Sequence, residues 1–532
     1  MNLGIFLSKC EGVVGTAIDL EALADEYGHV QSVKIFDSFY YEKDFDFLLN
    51  EVSTHKLDSL VLAGDSPMMY RKTRNGDYIL KSLSKKGINT NRIIMVNLKN
   101  MVSMPHEASQ AELQLKAKLL IDVGIEKVRY SGKVKMVEVA PRKAVAVIGA
   151  SISSIAVSQH FLDEGYKVFL IHEGEEIDLR ADDSAHIYPT FVYVLRHPRF
   201  RVINRAVVND LYGFPGDYTL EISSNANSQD RSQNISVGAA VLALENNRKL
   251  IKEYQSVFRL DVNENGFLSP LDETSARSQT LDRGIFVVDY IKSDQNNISR
   301  KLVSADAAAS MVINLLNRKE IFHRIMVSQV NTRLCSGCGA CVKTCIFKAV
   351  SLQEDPAISV IDPERCRGCG NCVTACPADA RDLVAYPSSY LFKAVDILSK
   401  FSSDNNDPKM LVMACDGCGY RCLDDAGAAG YTWPVSVMPL KLVCGGQIDT
   451  QLIMHAFVKG FDYVVLMVCA EGSCHNAIGN VELERRVNLF REILASRGID
   501  HKRMHIIAAS RNSTECVERI SRIYNRQPSS SS

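Results

Sequence analysis

Eight cysteines between Cys335 and Cys376 follow the spacing C-x2-C-x2-C-x3-C, which occurs once from Cys335 and again from Cys366. A cubane iron-sulfur cluster takes four thiolates. Two intervening residues let successive cysteines of a tight loop face one cluster, while the fourth of each run belongs to the other cluster. The spacing therefore reads as two 4Fe-4S centres, one on Cys335, Cys338, Cys341 and Cys376, the other on Cys366, Cys369, Cys372 and Cys345. Pro377 follows Cys376, as this motif expects, whereas Ile346 follows Cys345, a departure that concerns the turn after the ligand more than the ligation. Gly337, Gly339, Gly368 and Gly370 allow the loop backbone to approach closely and turn its N–H groups toward sulfur. The bland alternative is a pair of zinc ribbons. Four-coordinate zinc has no use for a third cysteine two residues on, repeated in both halves. Two such centres form a path for single electrons; a structural or redox-sensing role is the other reading.

A second group lies further along the chain. The segments KMLVMAC, VSVMPLKLVC and DYVVLMVC read as buried parallel strands, each running into a cysteine: Cys415, Cys444 and Cys469. Carboxyl ends of neighbouring parallel strands share one edge, so the three thiols are expected to converge there. Cys418 and Cys474 extend the set to five, of which four suffice for a 2Fe-2S centre, leaving one thiol and Cys422 without a required role. His475 is expected either to donate a hydrogen bond to a ligand or to be an ordinary surface or structural histidine, and the cysteines themselves could simply be core.

These residues need elements to hold them. A chain of 532 residues is too long for one core, and its 46% hydrophobic and 23% charged residues allow every part to fold. The expected architecture is a multidomain α/β chain: Rossmann-like domains, a bacterial-type two-cluster 4Fe-4S ferredoxin module of α+β class, and a C-terminal α/β domain with a parallel sheet. Residues 1–138 alternate short strands (LGIFL, SLVLAG, RIIMVNL) with helices, one of them from Glu107 to Gly124. Residues 143–322 open as strand, turn at Gly149, helix, and a strand from Lys167 to Ile171, one Rossmann βαβ unit. Asn225 to Gln233 reads as a surface loop, and a helix is expected from Ser304 to Asn317. The ferredoxin module takes 325–387, a helix and linker 388–408 (SSDNNDP being the best linker), the last domain 409–525, and a disordered tail 526–532. The cysteine run is the one internal repeat found. A formal charge of -1 excludes a global field for nucleic acid or an anionic membrane. The N-terminus lacks a secretory pattern and no apolar run approaches a membrane span, so a cytoplasmic location is expected.

ACDGCGYRC, KLVCGGQID and VCAEGSCH are together similar to the delta subunit of methyl-viologen-reducing hydrogenases, over Lys409 to about Ile523. The resemblance implies a 2Fe-2S cluster, ligated by four of Cys415, Cys418, Cys444, Cys469 and Cys474, that receives electrons from a hydrogenase or formate dehydrogenase. The segments VAVIGASISSIAVSQHFLDEGYKVFLI, YPTFVYVLRHPRFRVI, NGFLSP and RGIFVV resemble the flavin-bearing A-type component of heterodisulfide reductase, and the domain order also resembles the fused B-type component of quinone-interacting oxidoreductase complexes. In the heterodisulfide reductase flavoprotein the first turn is G-x-G-x-x-G and binds the FAD pyrophosphate. Here it reads Gly149, Ala150, Ser151, Ile152, Ser153, Ser154, with His172 where the ribose-binding acid is expected and Glu173 one place late. The resemblance thus implies FAD contacts at Gly149, Ser151, Ser154 and Glu173, and two outcomes stay open: weak FAD binding, or a remnant that docks onto a flavin-bearing paralogue. NLGIFLSKCEG, LAGDSPMMYRKTR and MVSMPHEAS resemble the same flavoprotein's N-terminal cluster segments, yet only Cys10 is retained, too little for a cluster. The preferred reading is an electron-wiring subunit whose partners (hydrogenase, formate dehydrogenase, heterodisulfide reductase, acyl-CoA reductase or quinone oxidoreductase subunits of anaerobic metabolism) do the chemistry. The rival is a catalytic, electron-bifurcating flavoenzyme subunit.

Overall fold

The computed structural model describes residues 1–67, 74–131, 136–177, 181–226, 229–245, 247–260, 262, 266–268, 278–280, 282–288, 298–405, 407–509 and 513–525. The expected tail 526–532 and Asn406 of the expected linker lie outside them. Among the described residues no helix is long and apolar enough to cross a membrane.

The architecture is multidomain α/β. Leu3–Ser8, Ser32–Phe36, Ser59–Gly64 and Ile93–Asn97 form a parallel sheet in the order second, first, third, fourth. LGIFLS and SLVLAG are buried throughout, as strands covered on both faces must be. A five-stranded parallel Rossmann-like sheet follows, with Ala144–Ile148 central, Lys167–Ile171 and Phe200–Ile203 on one side, Ala239–Leu242 and Ile285–Val287 on the other. The antiparallel strands Ala206–Phe214, Asp217–Ala226 and Gln229–Val237 pack beside it. Strand therefore occupies most of the stretch read as a loop at Asn225–Gln233. Its polar side chains hid a ladder that the backbone alone completes.

Met410–Cys415, Val437–Leu442, Tyr463–Cys469 and Met504–Ala509 make the last sheet, again parallel and again in the order second, first, third, fourth. The sequence shows one repeat, in its cysteines; the structure adds a repeat of topology between its first and last sheets. The two sheets share one hydrophobic core, which contains Ile5, Leu7 and Val61 together with Val412, Met413 and Leu466.

The seam between them is set by a helix that runs from Gln110 to Ser131, longer than its apolar periodicity indicates. Gly124 lies inside it, and a Cβ there would lie 2.7 Å from a Val96 methyl, so its missing side chain is a packing requirement. Lys116 and Lys127 face inward, with partners that hydropathy cannot reveal. Lys116 Nζ donates to the Val435 and Val437 carbonyls at 3.0 and 2.7 Å and to His106 Nε2 at 2.7 Å. Three acceptors suit the three donors of an ammonium group. His106 Nδ1 then donates to the Trp433 carbonyl at 2.8 Å. Lys127 Nζ stands 3.1 Å from the ring centroid of Tyr386 and 4.6 Å from that of Tyr390.

On the same seam, a Cβ at Gly427 would meet the Asn100 carbonyl oxygen at 2.0 Å, so backbone lies against backbone. One turn earlier, Asp424 is buried and accepts from Asn97 Nδ2 and Asn100 Nδ2, each at 2.7 Å, and from Ser66 Oγ. Replacing it strands three buried donors at once. Asp424→Ala is expected to lower stability by about 3 kcal/mol, read as a fall in the denaturation midpoint of the anaerobically purified protein.

Candidate metal centres

Each ferredoxin-like half is built the same way. Short helices Ala340–Lys343 and Asn371–Thr374 start from Gly339 at φ 74° and Gly370 at φ 85°, and Gly337 and Gly368 are left-handed at 65° and 63°. Side chains other than glycine are strained there. Gly337 and Gly368 also have no room, since a Cβ would lie 2.5 Å from the Ala357 carbonyl oxygen and 2.3 Å from that of Met326. The antiparallel pairs Val350–Gln353 with Ile358–Ile361 and Ser328–Val330 with Arg381–Leu383 complete the two halves.

Each cavity draws three cysteines from one run and the fourth from the other. One cavity is lined by Cys335, Cys338, Cys341 and Cys376, and the other by Cys345, Cys366, Cys369 and Cys372. The Cys335 thiol is held below its ordinary range by the backbone N–H groups of Ser359 and Gly337. Burial pushes Cys366 up, against the N–H groups of Ser328 and Gly368. Deeper still, burial raises Cys369 to about 12 and Cys372 to about 11. Four thiols this close, two of them this costly to ionise, fit a site in which a cation shares the sulfurs.

The thiols of the last domain do converge. Cys415 and Cys469, on adjacent strands, have Sγ atoms 3.8 Å apart. His475 is buried and its Nδ1 lies 3.5 Å from Cys469 Sγ and 3.7 Å from Cys418 Sγ, which places it inside the constellation and not on the surface. The five thiols form one linked set, in which Cys469 meets Cys415 and Cys418 on one side and Cys474 on the other. Cys415 and Cys469 pull Cys418 well below the ordinary thiol range, with His475 assisting, while Cys444 and Cys469 do the same to Cys474. The thiols that give up hydrogen bonds are raised in exchange, Cys415 to about 12. Along this set one negative charge excludes the next unless metal is bound, so the donor set fits an iron-sulfur centre. Gly479 must be glycine, because a Cβ would stand 2.3 Å from Cys444 Sγ. Asn480 Nδ2 fastens the Cys469 loop through the Cys469 and Ala470 carbonyls at 3.1 and 2.8 Å. Cys422 engages Cys516.

The structure also shows a junction that the cysteine spacing does not reveal. The turn Gly445–Gln447, directly after Cys444, seats against the loop of Cys369. A Cβ on Gly446 would lie 2.9 Å from the Cys369 carbonyl oxygen, and Thr374 Oγ1 donates to the Gly446 carbonyl at 3.1 Å. The Cys345, Cys366, Cys369, Cys372 cavity therefore adjoins the last domain, while in the other set Cys338 is exposed. The signal available was the pair Gly445 and Gly446, two small residues beside a cysteine.

The expected dinucleotide turn lies between Gly149 and the helix Ile152–Asp163. Gly149, at φ 117°, is needed because a Cβ would meet the Ala243 carbonyl oxygen at 2.2 Å. Ser151 caps the helix Ile152–Asp163 by accepting from the Ser154 N–H, and Ser154 Oγ accepts from the Ser151 N–H at 3.1 Å. This reciprocal box consumes two donors that a pyrophosphate would use. His172 is buried against Asn204 Oδ1 at 2.9 Å, and Glu173 is exposed with its carboxyl raised by partial burial and by Glu253. The three-glycine turn is thus replaced here by a self-capped one. Cys10 is buried and its thiol is pushed up to about 12 by burial and Asp65, with Ser8 Oγ at 3.6 Å.

Residues 410–526 match the family described as the methyl-viologen-reducing hydrogenase delta subunit, and 334–380 and 358–425 match two 4Fe-4S dicluster domain families. The D-type iron-sulfur component of the F(420)-non-reducing hydrogenase of Archaeoglobus profundus is 31% identical over 104 residues, 20% of this chain and 76% of that protein. Its counterpart from Methanococcus voltae is 32% identical over 102 residues, covering 19% of this chain and 71% of that one. The A-type component of the ferredoxin:CoB-CoM heterodisulfide reductase of Methanosarcina mazei is 28% identical over 215 residues, 40% of this chain. The match spans 27% of that relative's length.

Crosswise holding is directly testable. Cys376→Ser is expected to abolish the paramagnetic signal of the first-run cluster and Cys345→Ser that of the second-run cluster, with iron falling by about four per chain in each. Cys422→Ala should leave every signal in place.

Proposed function

The chain belongs, through residues 410–526, to the family of the methyl-viologen-reducing hydrogenase delta subunit, and from that premise we propose that it wires single electrons between a 2Fe-2S centre in its last domain and two 4Fe-4S clusters in its ferredoxin module. That it is an iron-sulfur electron-transfer subunit follows from the dicluster and delta-subunit matches together. The observation that supports the wiring is the seat of the Cys369 loop on the Gly445–Gln447 turn, which brings one cluster cavity against the other domain's thiols. Bound clusters would supply one-electron steps, and the residues around them hold the sulfurs, exclude water and aim N–H groups at the ligands.

Cys338 marks the outward end of the path. Partners are redox subunits of heterodisulfide reductase or hydrogenase type, and substrate chemistry belongs to them. The self-capped turn at Ser151 and Ser154 favours a chain that does not hold its own FAD over the rival flavoenzyme. Protein purified under nitrogen from a cluster-competent host is expected to contain roughly ten irons per chain, matching acid-labile sulfide, and flavin well below one per chain. Colourless protein without sulfide would overturn the iron-sulfur reading; one FAD per chain would favour the rival.

A further inference from the structure

Position 381 carries a charge where its counterpart does not. Five residues after Cys345 stands Val350; five after Cys376 stands Arg381, and it is 3% exposed. Arg381 lines the cavity of Cys335, Cys338, Cys341 and Cys376. Its Nη1 donates to Ser328 Oγ at 3.3 Å and its Nη2 to Ser359 Oγ, with the Val360 carbonyl at 3.5 Å. Nε is buried without a hydrogen-bond acceptor, and among the described residues no carboxylate pairs with the guanidinium. A buried charge without a counter-charge is strongly unfavourable.

The two serines occupy matching places in the two halves. Ser359 turns its N–H to Cys335 and its hydroxyl, 3.2 Å away, to Cys341 Sγ. Ser328 turns its N–H to Cys366 and its hydroxyl to Cys372. Each hydroxyl that accepts from the guanidinium keeps its own hydrogen for sulfur, and a donor polarised in this way is stronger. One arginine thus reaches both cysteine sets through one serine each: Ser359 lines the cavity of Cys335, Cys338, Cys341 and Cys376, and Ser328 that of Cys345, Cys366, Cys369 and Cys372.

We propose that Arg381, with Ser328 and Ser359, is a charged bridge between the two cluster sites that favours the reduced form of both, the anionic clusters being its missing counter-charge. The inference rests on the iron-sulfur reading above and makes Arg381 a positioning and tuning residue. It does not act as a ligand. Reduction adds a negative charge to a cluster, so a fixed cation beside it raises the reduction potential.

The test is a redox titration of the full chain followed by electron paramagnetic resonance, with iron and sulfide measured on the same samples. Arg381→Leu and Arg381→Gln are expected to keep their iron while the reduced-to-oxidised ratio of both cubes at fixed potential falls at least tenfold, about 59 mV for a one-electron couple. Arg381→Lys keeps the charge and should recover most of the shift. A readout independent of loading is the chelated apo-protein, in which Arg381→Leu should unfold at a higher denaturant concentration than wild type, having lost an unbalanced charge. Unchanged ratios in iron-replete Leu and Gln variants would overturn the proposal. If those variants lose their clusters, Ser359→Ala and Ser328→Ala decide. Each should shift only the cluster of its own half, and no shift in either would equally overturn it. Wild-type protein without iron would instead remove the iron-sulfur reading itself.

Discussion

Negative charge on buried sulfur is the constraint around which the second half of this chain is organised. Thiols packed beside one another in an apolar surround cannot ionise together, as the opposed shifts of Cys418 and Cys415 show. Three devices in the chain answer that constraint. Left-handed glycines bring loop N–H groups to sulfur, serine hydroxyls reach Cys341 and Cys372, and a buried guanidinium stands between the halves. Iron is the fourth, and the other three are most useful when it is bound.

The first and last sheets show what happens when the constraint is lifted. Both have the same strand order and a shared core. At the carboxyl edge of the last sheet lie Cys415, Cys418 and Cys469. At the same edge of the first, Ser8, Cys10 and Asp65 come together, and the lone thiol is held protonated by burial and the carboxylate. A hydroxyl, a carboxylate and one thiol need no metal to share a site. The first domain instead braces the last one through Asp424, Lys116 and the Gly427 contact. The dinucleotide turn follows the same course: Ser151 and Ser154 satisfy each other.

The cysteine spacing by itself determined the ferredoxin module, because a ligand set two residues apart in a tight loop depends on local geometry alone. Strand-terminal Cys415 and Cys469 were legible for a related reason, since parallel strands put their carboxyl ends on one edge. The pairing of first and last sheets, the inward lysines at 116 and 127, the seat of Cys369 against Gly446, and the reach of Arg381 across two halves were decided only in three dimensions. Each depends on which distant backbone carbonyl, hydroxyl or ring a side chain meets. A polar residue that will be buried with a partner reads in sequence like one that will face water, and only the folded packing separates the two.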